Sequence, residues 1–75
     1  HNVRVNAVAP GPIATEMLGR IAGGAQNIPM VASTIPMNRI GTPDEVADAI
    51  LYMASPAASY ITGQILQVNG GKTAM

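Results

Sequence analysis

The run Pro10-Gly11-Pro12-Ile13-Ala14-Thr15 holds the residues best suited to ligand chemistry. Pro12 has no N–H, but Ile13 and Ala14 bring backbone donors and acceptors, and Thr15 adds a hydroxyl that can both give and accept a hydrogen bond. Such a set suits a neutral polar group such as an amide. Gly11 allows a turn that a side chain would obstruct. The same residues equally describe a strand ending in a rigid turn, with Thr15 as the N-cap of a helix through Glu16, Met17 and Leu18.

Other residues of chemical type fit bland roles. Asp44, Glu45 and Asp48 resemble an acidic cluster, but their spacing is that of a capped helix with solvated charges. Gly19 and Gly24 have the separation of a phosphate-loop pair, yet Ala25 stands where Lys should follow, and no strand precedes Gly23-Gly24. His1 lies at the start of the first predicted strand, opposite the ligand end. The sequence has no cysteine, which rules out a disulfide framework and cysteine-based metal binding or catalysis.

These residues need elements to position them. Val3, Val5, Ala7 and Ala9 alternate with Asn2, Arg4 and Asn6, which predicts a strand from Asn2. Val8 makes both faces apolar toward its end, as in a parallel strand covered on both sides, and Pro10 should stop the ladder. In open α/β sheets, ligands sit beyond the carboxyl ends of strands, so the run from Pro10 to Thr15 falls where a ligand is expected. The segment 16–38 predicts two short apolar helices, Glu16 to Ala22 and Pro29 to Thr34, separated by Gly23-Gly24. They read as a flap or as a surface connection whose methionines fill gaps. Thr42-Pro43-Asp44-Glu45 is a helix start with a capping box, and the helix should end near Ser55-Pro56. Its apolar face spans Val46, Ala47, Ala49, Ile50, Leu51, Met53 and Ala54. Gln64 to Val68 predicts a last strand, and a long helix between two strands implies a right-handed crossover with parallel pairing.

Four landmarks carry a resemblance to a known family. Arg4-Val5-Asn6, Val8, Pro10-Gly11, Ile13 and Thr15 form the first. Arg39-Ile40-Gly41-Thr42-Pro43-Asp44-Glu45-Val46-Ala47, Ser59-Tyr60-Ile61-Thr62-Gly63-Gln64 and Val68-Asn69-Gly70-Gly71 follow in order. Together they resemble the classical short-chain dehydrogenases/reductases over nearly the whole chain. The resemblance implies an α/β fold: the C-terminal part of a Rossmann-type, doubly wound parallel sheet. Residues 1–75 would then be the end of a single NAD(P)-binding domain, with a substrate flap at 16–38, a long helix at 42–55 and a last strand at 64–68.

The resemblance also implies a cofactor, NAD or NADP, and hydride transfer between its nicotinamide and a carbonyl or alcohol. It places the Ile13 backbone against the nicotinamide carboxamide and gives Thr15 a hydrogen bond to the same amide or the nearby phosphate. Pro10 and Gly11 would shape the turn under the ring, and Met17, Leu18 and Ile21 would line the substrate flap. It implies a cytoplasmic homotetramer joined through the long helix and last strand. The ending from Tyr60 to Gly71 is similar to the beta-ketoacyl-[acyl-carrier-protein] reductases, while sugar, polyol and steroid dehydrogenases share much of it. Asn69 stands where many members carry Asp.

The family's catalytic Tyr and Lys are four positions apart. Here Tyr52 is followed by Pro56 and Tyr60 by Gln64, and Lys72 is the single lysine. No catalytic residue is therefore assigned within the chain. The catalytic residues and the Gly-rich cofactor loop are expected before His1, and so is the strand end that separates NAD from NADP. The first residue is His rather than Met, which agrees with a C-terminal piece of a longer protein.

Composition sets the outer limits. Seventy-five residues make one compact unit at most, with a core that is marginal alone. Apolar residues make up 48%, yet there is no Phe or Trp, as in a buried interior piece rather than a self-sufficient domain. Formal net charge is zero, which gives no electrostatic case for nucleic acid or an anionic membrane. No apolar run is long enough to span a bilayer. A different class of reading is a non-catalytic interaction module, an apolar helix and strand that only assemble with partners. A Tyr-x-x-x-Lys about one helix upstream would decide for the enzyme.

Overall fold

The computed structural model describes residues 2–21 and 23–72, without the side chain of Ile21. Among the described residues, five regular elements follow one another: strand β1 (Ala7–Pro10), helices α1 (Glu16–Ile21), α2 (Ile28–Ser33) and α3 (Pro43–Ala54), and strand β2 (Ile65–Val68). Single 3-10 turns at Ala25–Asn27 and Pro56–Ala58 complete the path. The strands pair in parallel, with Ala7 opposite Ile65 and Pro10 opposite Val68, and α3 crosses between them and packs on both.

β1 is shorter than the alternation predicts. Residues 2–6 lie outside the ladder because β2 begins only opposite Ala7. They are tied instead through side chains to the segment before β2. Asn6 Nδ2 donates to Ile61 O at 3.0 Å, Asn6 Oδ1 accepts from Gln64 N at 3.0 Å, and Thr62 Oγ1 accepts from Val5 N at 3.2 Å. Val5 O accepts from Gly63 N at 2.8 Å. Pro10, expected to stop the ladder, is its last residue. Ala7 and Gly11 donate to Gln64 O and Val68 O, each at 2.9 Å. Alternate residues of a parallel strand face one neighbour. The Pro10 nitrogen therefore points away from β2, and its missing hydrogen breaks no bond of this pair.

α3 begins where its sequence requires. Thr42 Oγ1 accepts from Glu45 N at 3.2 Å and Glu45 Oε1 accepts from Thr42 N at 2.9 Å, a reciprocal capping box. Ser55 is extended before Pro56, which ends the helix. Its last carbonyls are met from outside. Arg4 Nη1 donates to Met53 O at 3.0 Å and Ile61 O at 3.1 Å, and Nη2 reaches Ser55 O at 3.5 Å. A guanidinium there both satisfies orphan acceptors and opposes the negative end of the helix dipole.

The apolar core is thin. Among the described residues Ile35, Met53 and Ala58 are the buried hydrophobics, while Ile50, Leu51 and Ile65 stay exposed. Only part of the broad apolar face read on α3 is covered: Val46 and Ala49 are half-buried and Met53 is buried, but Ala47 and Ala54 face solvent. Two of the three core residues lie in connections. Ile35 follows α2, and Ala58 closes the 3-10 turn after α3. Among the described residues no helix is long and apolar enough to cross a membrane.

Candidate functional site

The carboxyl ends of β1 and β2 lie side by side, and the run Pro10 to Thr15 leaves from that edge. Gly11 holds this place because the neighbouring strand end crowds it. A Cβ there would stand 2.6 Å from Asn69 Cβ and 2.9 Å from Asn69 Cα, so close approach, rather than an unusual φ, makes glycine the residue that fits. Pro12 O then accepts from Gly41 N, and Ala14 N donates to Gly41 O, both at 2.9 Å. These two bonds form a parallel bridge between Ile13 and Gly41.

The bridge revises the donor inventory read from sequence. The Ala14 N–H is spent on Gly41, and Ile13 O accepts from Thr15 N at 2.8 Å. Ile13, the central residue of a parallel bridge, turns its own N–H away from Gly41. Thr15 caps α1: its carbonyl and its hydroxyl oxygen both accept from Leu18 N, at 3.1 and 3.3 Å. Accepting that bond leaves the hydroxyl proton free to be donated elsewhere. The N-cap and ligand readings of Thr15 are thus compatible. Pro10 is exposed at the strand end, Met17 is exposed on α1 and Leu18 is half-buried. The Ile21 side chain and Ala22 lie outside the described residues.

Beside this turn is a cavity of about 460 Å³ whose wall includes Pro12, Met37, Glu45, Leu66 and Asn69. The turn contributes Pro12 to its wall, but Ile13 and Thr15 are not among the lining residues. One charged pair edges it. Arg39 Nη1 and Nη2 donate to Glu45 Oε1 and Oε2 at 2.8 and 2.7 Å, a two-pronged contact. The Arg39 hydrogen bond, helped by the Thr42 N–H, holds the Glu45 carboxyl down to about 2 and raises the Arg39 guanidinium. Both side chains are near half exposed, so the pair fixes the direction of segment 39–41 more than it adds stability. Sequence reading placed Glu45 in the capping box but missed Arg39, since a pairing across the cap has no local spacing rule.

A family profile described as enoyl-(acyl carrier protein) reductase matches residues 1–73. The galactitol 2-dehydrogenase of Rhizobium johnstonii is 48% identical over 73 residues, which is 97% of this chain and 28% of that protein. The chain belongs to the short-chain dehydrogenase/reductase family. Solved members share its architecture. The ligand-free aldohexose dehydrogenase of Thermoplasma acidophilum superposes with a TM-score of 0.90 at 38% identity, covering 96% of this chain and 32% of that one. A structure described as a putative betaketoacyl-ACP reductase gives a TM-score of 0.79 at 43% identity, covering 99% and 30%. The small parallel sheet with its crossing helix is thus Rossmann-like, as short-chain dehydrogenases are. The chain spans about a quarter of the length of the curated relatives it matches.

Proposed function

We propose that this chain is the C-terminal portion of the NAD(P)-binding domain of a short-chain dehydrogenase/reductase. That enzyme transfers a hydride between a nicotinamide cofactor and a carbonyl or alcohol. The observation that carries the reading is the turn Pro10 to Thr15 at the carboxyl ends of two parallel strands, where Ile13 N–H is turned outward and Thr15 keeps a proton to donate. The residues fit a carboxamide: Ile13 meets the amide of the nicotinamide, Thr15 bonds the same amide or the adjacent phosphate, and Pro10 and Gly11 set the turn beneath the ring. The bound cofactor supplies the hydride acceptor or donor. The residues of this chain orient it, and the Tyr and Lys of the proton transfer belong to a longer protein.

Replacing Thr15 tests the cofactor seat. Thr15→Val keeps the volume and deletes the hydroxyl, at about 0.5–1.5 kcal/mol for a lost hydrogen bond. Titration of the full-length variant should show cofactor affinity lowered by several-fold to roughly tenfold. Unchanged affinity and turnover would reduce Thr15 to a helix cap.

Residues 16–38 act as the substrate flap in this reading, with Met17, Leu18 and Ile21 as its apolar lining. None of the described residues of α1, α2 or the turn between them is buried, in keeping with a segment that moves. Hydrogen exchange on the full-length protein should be faster here than in α3 and should slow on addition of NAD, or of NADP, together with galactitol. Protection equal to that of α3, with no response to either mixture, speaks against a flap. The exposed Ile50 and Leu51 of α3 and Ile65 of β2 are the surfaces through which a cytoplasmic homotetramer would assemble. A sugar or polyol substrate has the support of the galactitol and aldohexose dehydrogenases. The carrier-protein ketoacyl class is the second reading, on the neighbour described as a putative betaketoacyl-ACP reductase.

A further inference from the structure

The turn after β2 is rigid by its own bonds. Asn69 O accepts from Lys72 N at 3.2 Å and Asn69 Oδ1 accepts from Gly71 N at 3.0 Å, with Gly70 at φ 65°. It contacts the end of α2 and the residues after it, more than thirty positions earlier in the chain. Gly70 O accepts from Met37 N at 3.1 Å. Gly70 also lies so close to Ile35 that a Cβ would stand 2.6 Å from Ile35 Cγ2, and Ile35 is only 3% exposed. Lys72 Nζ donates to Thr34 Oγ1 at 2.7 Å, while that hydroxyl donates to Val31 O at 2.7 Å. The Thr34 hydroxyl thus has both of its roles filled, one within its own helix and one by the distant lysine.

The contrast with α1 and α2 is sharp. Those helices pack chiefly on the 3-10 turn between them and bury no described residue. α1 joins the sheet through the turn 10–15 that leads into it, so the attachment of α2 rests on the segment 34–41 that follows it. That segment is gripped at one end by the turn 69–72 and at the other by the Ile13–Gly41 bridge and the Arg39–Glu45 pair. We propose that the turn Asn69–Lys72 is a clamp that sets where α2 stands, with Lys72 as a positioning residue acting through Thr34. The functional meaning of the clamp rests on the flap reading: it anchors the α2 end of the flap through 34–38 and leaves α1 as the part free to move. The C-terminal turn then tunes the flap without touching substrate.

A double-mutant cycle read by hydrogen exchange on the full-length protein without ligand tests the clamp. Lys72→Met should speed exchange in residues 28–38 by about two- to tenfold, the range of one net hydrogen bond. Residues 43–54 should not change. Once Thr34→Val is in place, adding Lys72→Met should have no further effect, because the same bond is already gone. Lys72→Arg, which keeps a donor, should stay close to the wild type. No change on Lys72→Met, an equal change in both backgrounds, or faster exchange across 43–54 overturns the clamp. The cycle is run without ligand, so its failure leaves the flap reading standing. A failure of the ligand response described above leaves the cycle intact.

Discussion

Expressed alone, His1 to Met75 should show no cooperative unfolding transition as a monomer and no nicotinamide-dependent ketone reduction. Val3 and Val5 are 77% and 71% exposed, Leu51 is 70% exposed and Ile65 is 64% exposed. Each large aliphatic side chain left in water forgoes about 1.5–3 kcal/mol of burial. Three or four such losses are comparable with the whole stability of an ordinary domain, about 5–15 kcal/mol. The shape agrees: the radius of gyration is 14.4 Å, and the extents are 48 × 26 × 15 Å. A compact domain of this length has a radius of gyration of about 11 Å. Each strand pairs with the other alone among the described residues, which leaves both outer edges of the sheet open. Circular dichroism on heating, sedimentation and a reduction assay decide the matter. A sharp monomeric transition would sink the stability claim. Measurable reduction would sink the assignment of proton transfer to residues outside this chain.

Gly11→Ala should damage the full-length protein in two ways at once. The new methyl would meet Asn69 at 2.6 Å from Cβ and 2.9 Å from Cα. The Cα is backbone, so the strand end has to shift and no rotamer change relieves the clash. Overpacking of this kind costs about 1–3 kcal/mol, and backbone involvement puts it toward the upper part of that range. For a parent protein of ordinary domain size, each kcal/mol lowers the melting temperature by about 2–4 °C. The displaced turn carries Ile13 and Thr15 with it, so cofactor affinity should fall alongside stability. Thermal unfolding and cofactor titration of the variant measure both. Wild-type values in both would mean that the strand ends separate at little cost and that their spacing does not define the site.

What the sequence could and could not tell follows from how far each interaction reaches along the chain. The start of α3 was readable because Thr42 to Glu45 contains the whole capping box, both partners included. Parallel pairing was readable from two short apolar runs flanking a long helix. The strand start was misplaced because alternation reports a face and not a partner. Residues 2–6 face Ile61 to Gln64, which they meet through the Asn6 side chain, the Thr62 hydroxyl and one backbone bond from Gly63 to Val5. The position of the Pro10 to Thr15 turn beyond a strand end was likewise legible. The loss of the Ala14 donor to Gly41 was not, since no local pattern marks that bond. Ala58 sits in the 3-10 turn after α3, where periodicity says nothing about burial.

The bridge that joins Ile13 to Gly41 has a consequence for change over time. It closes the chain between those residues into a ring whose two ends are fixed beside the sheet. Lengthening a closed ring costs entropy only as the logarithm of its length, about 0.6 kcal/mol for a doubling. Residues inserted between α1 and α2 would therefore leave the strands, the capped helix and the polar turn in register. The length of the segment between Ile13 and Gly41 is separated from scaffold geometry by two backbone hydrogen bonds, and it can diversify while everything outside the ring stays in place.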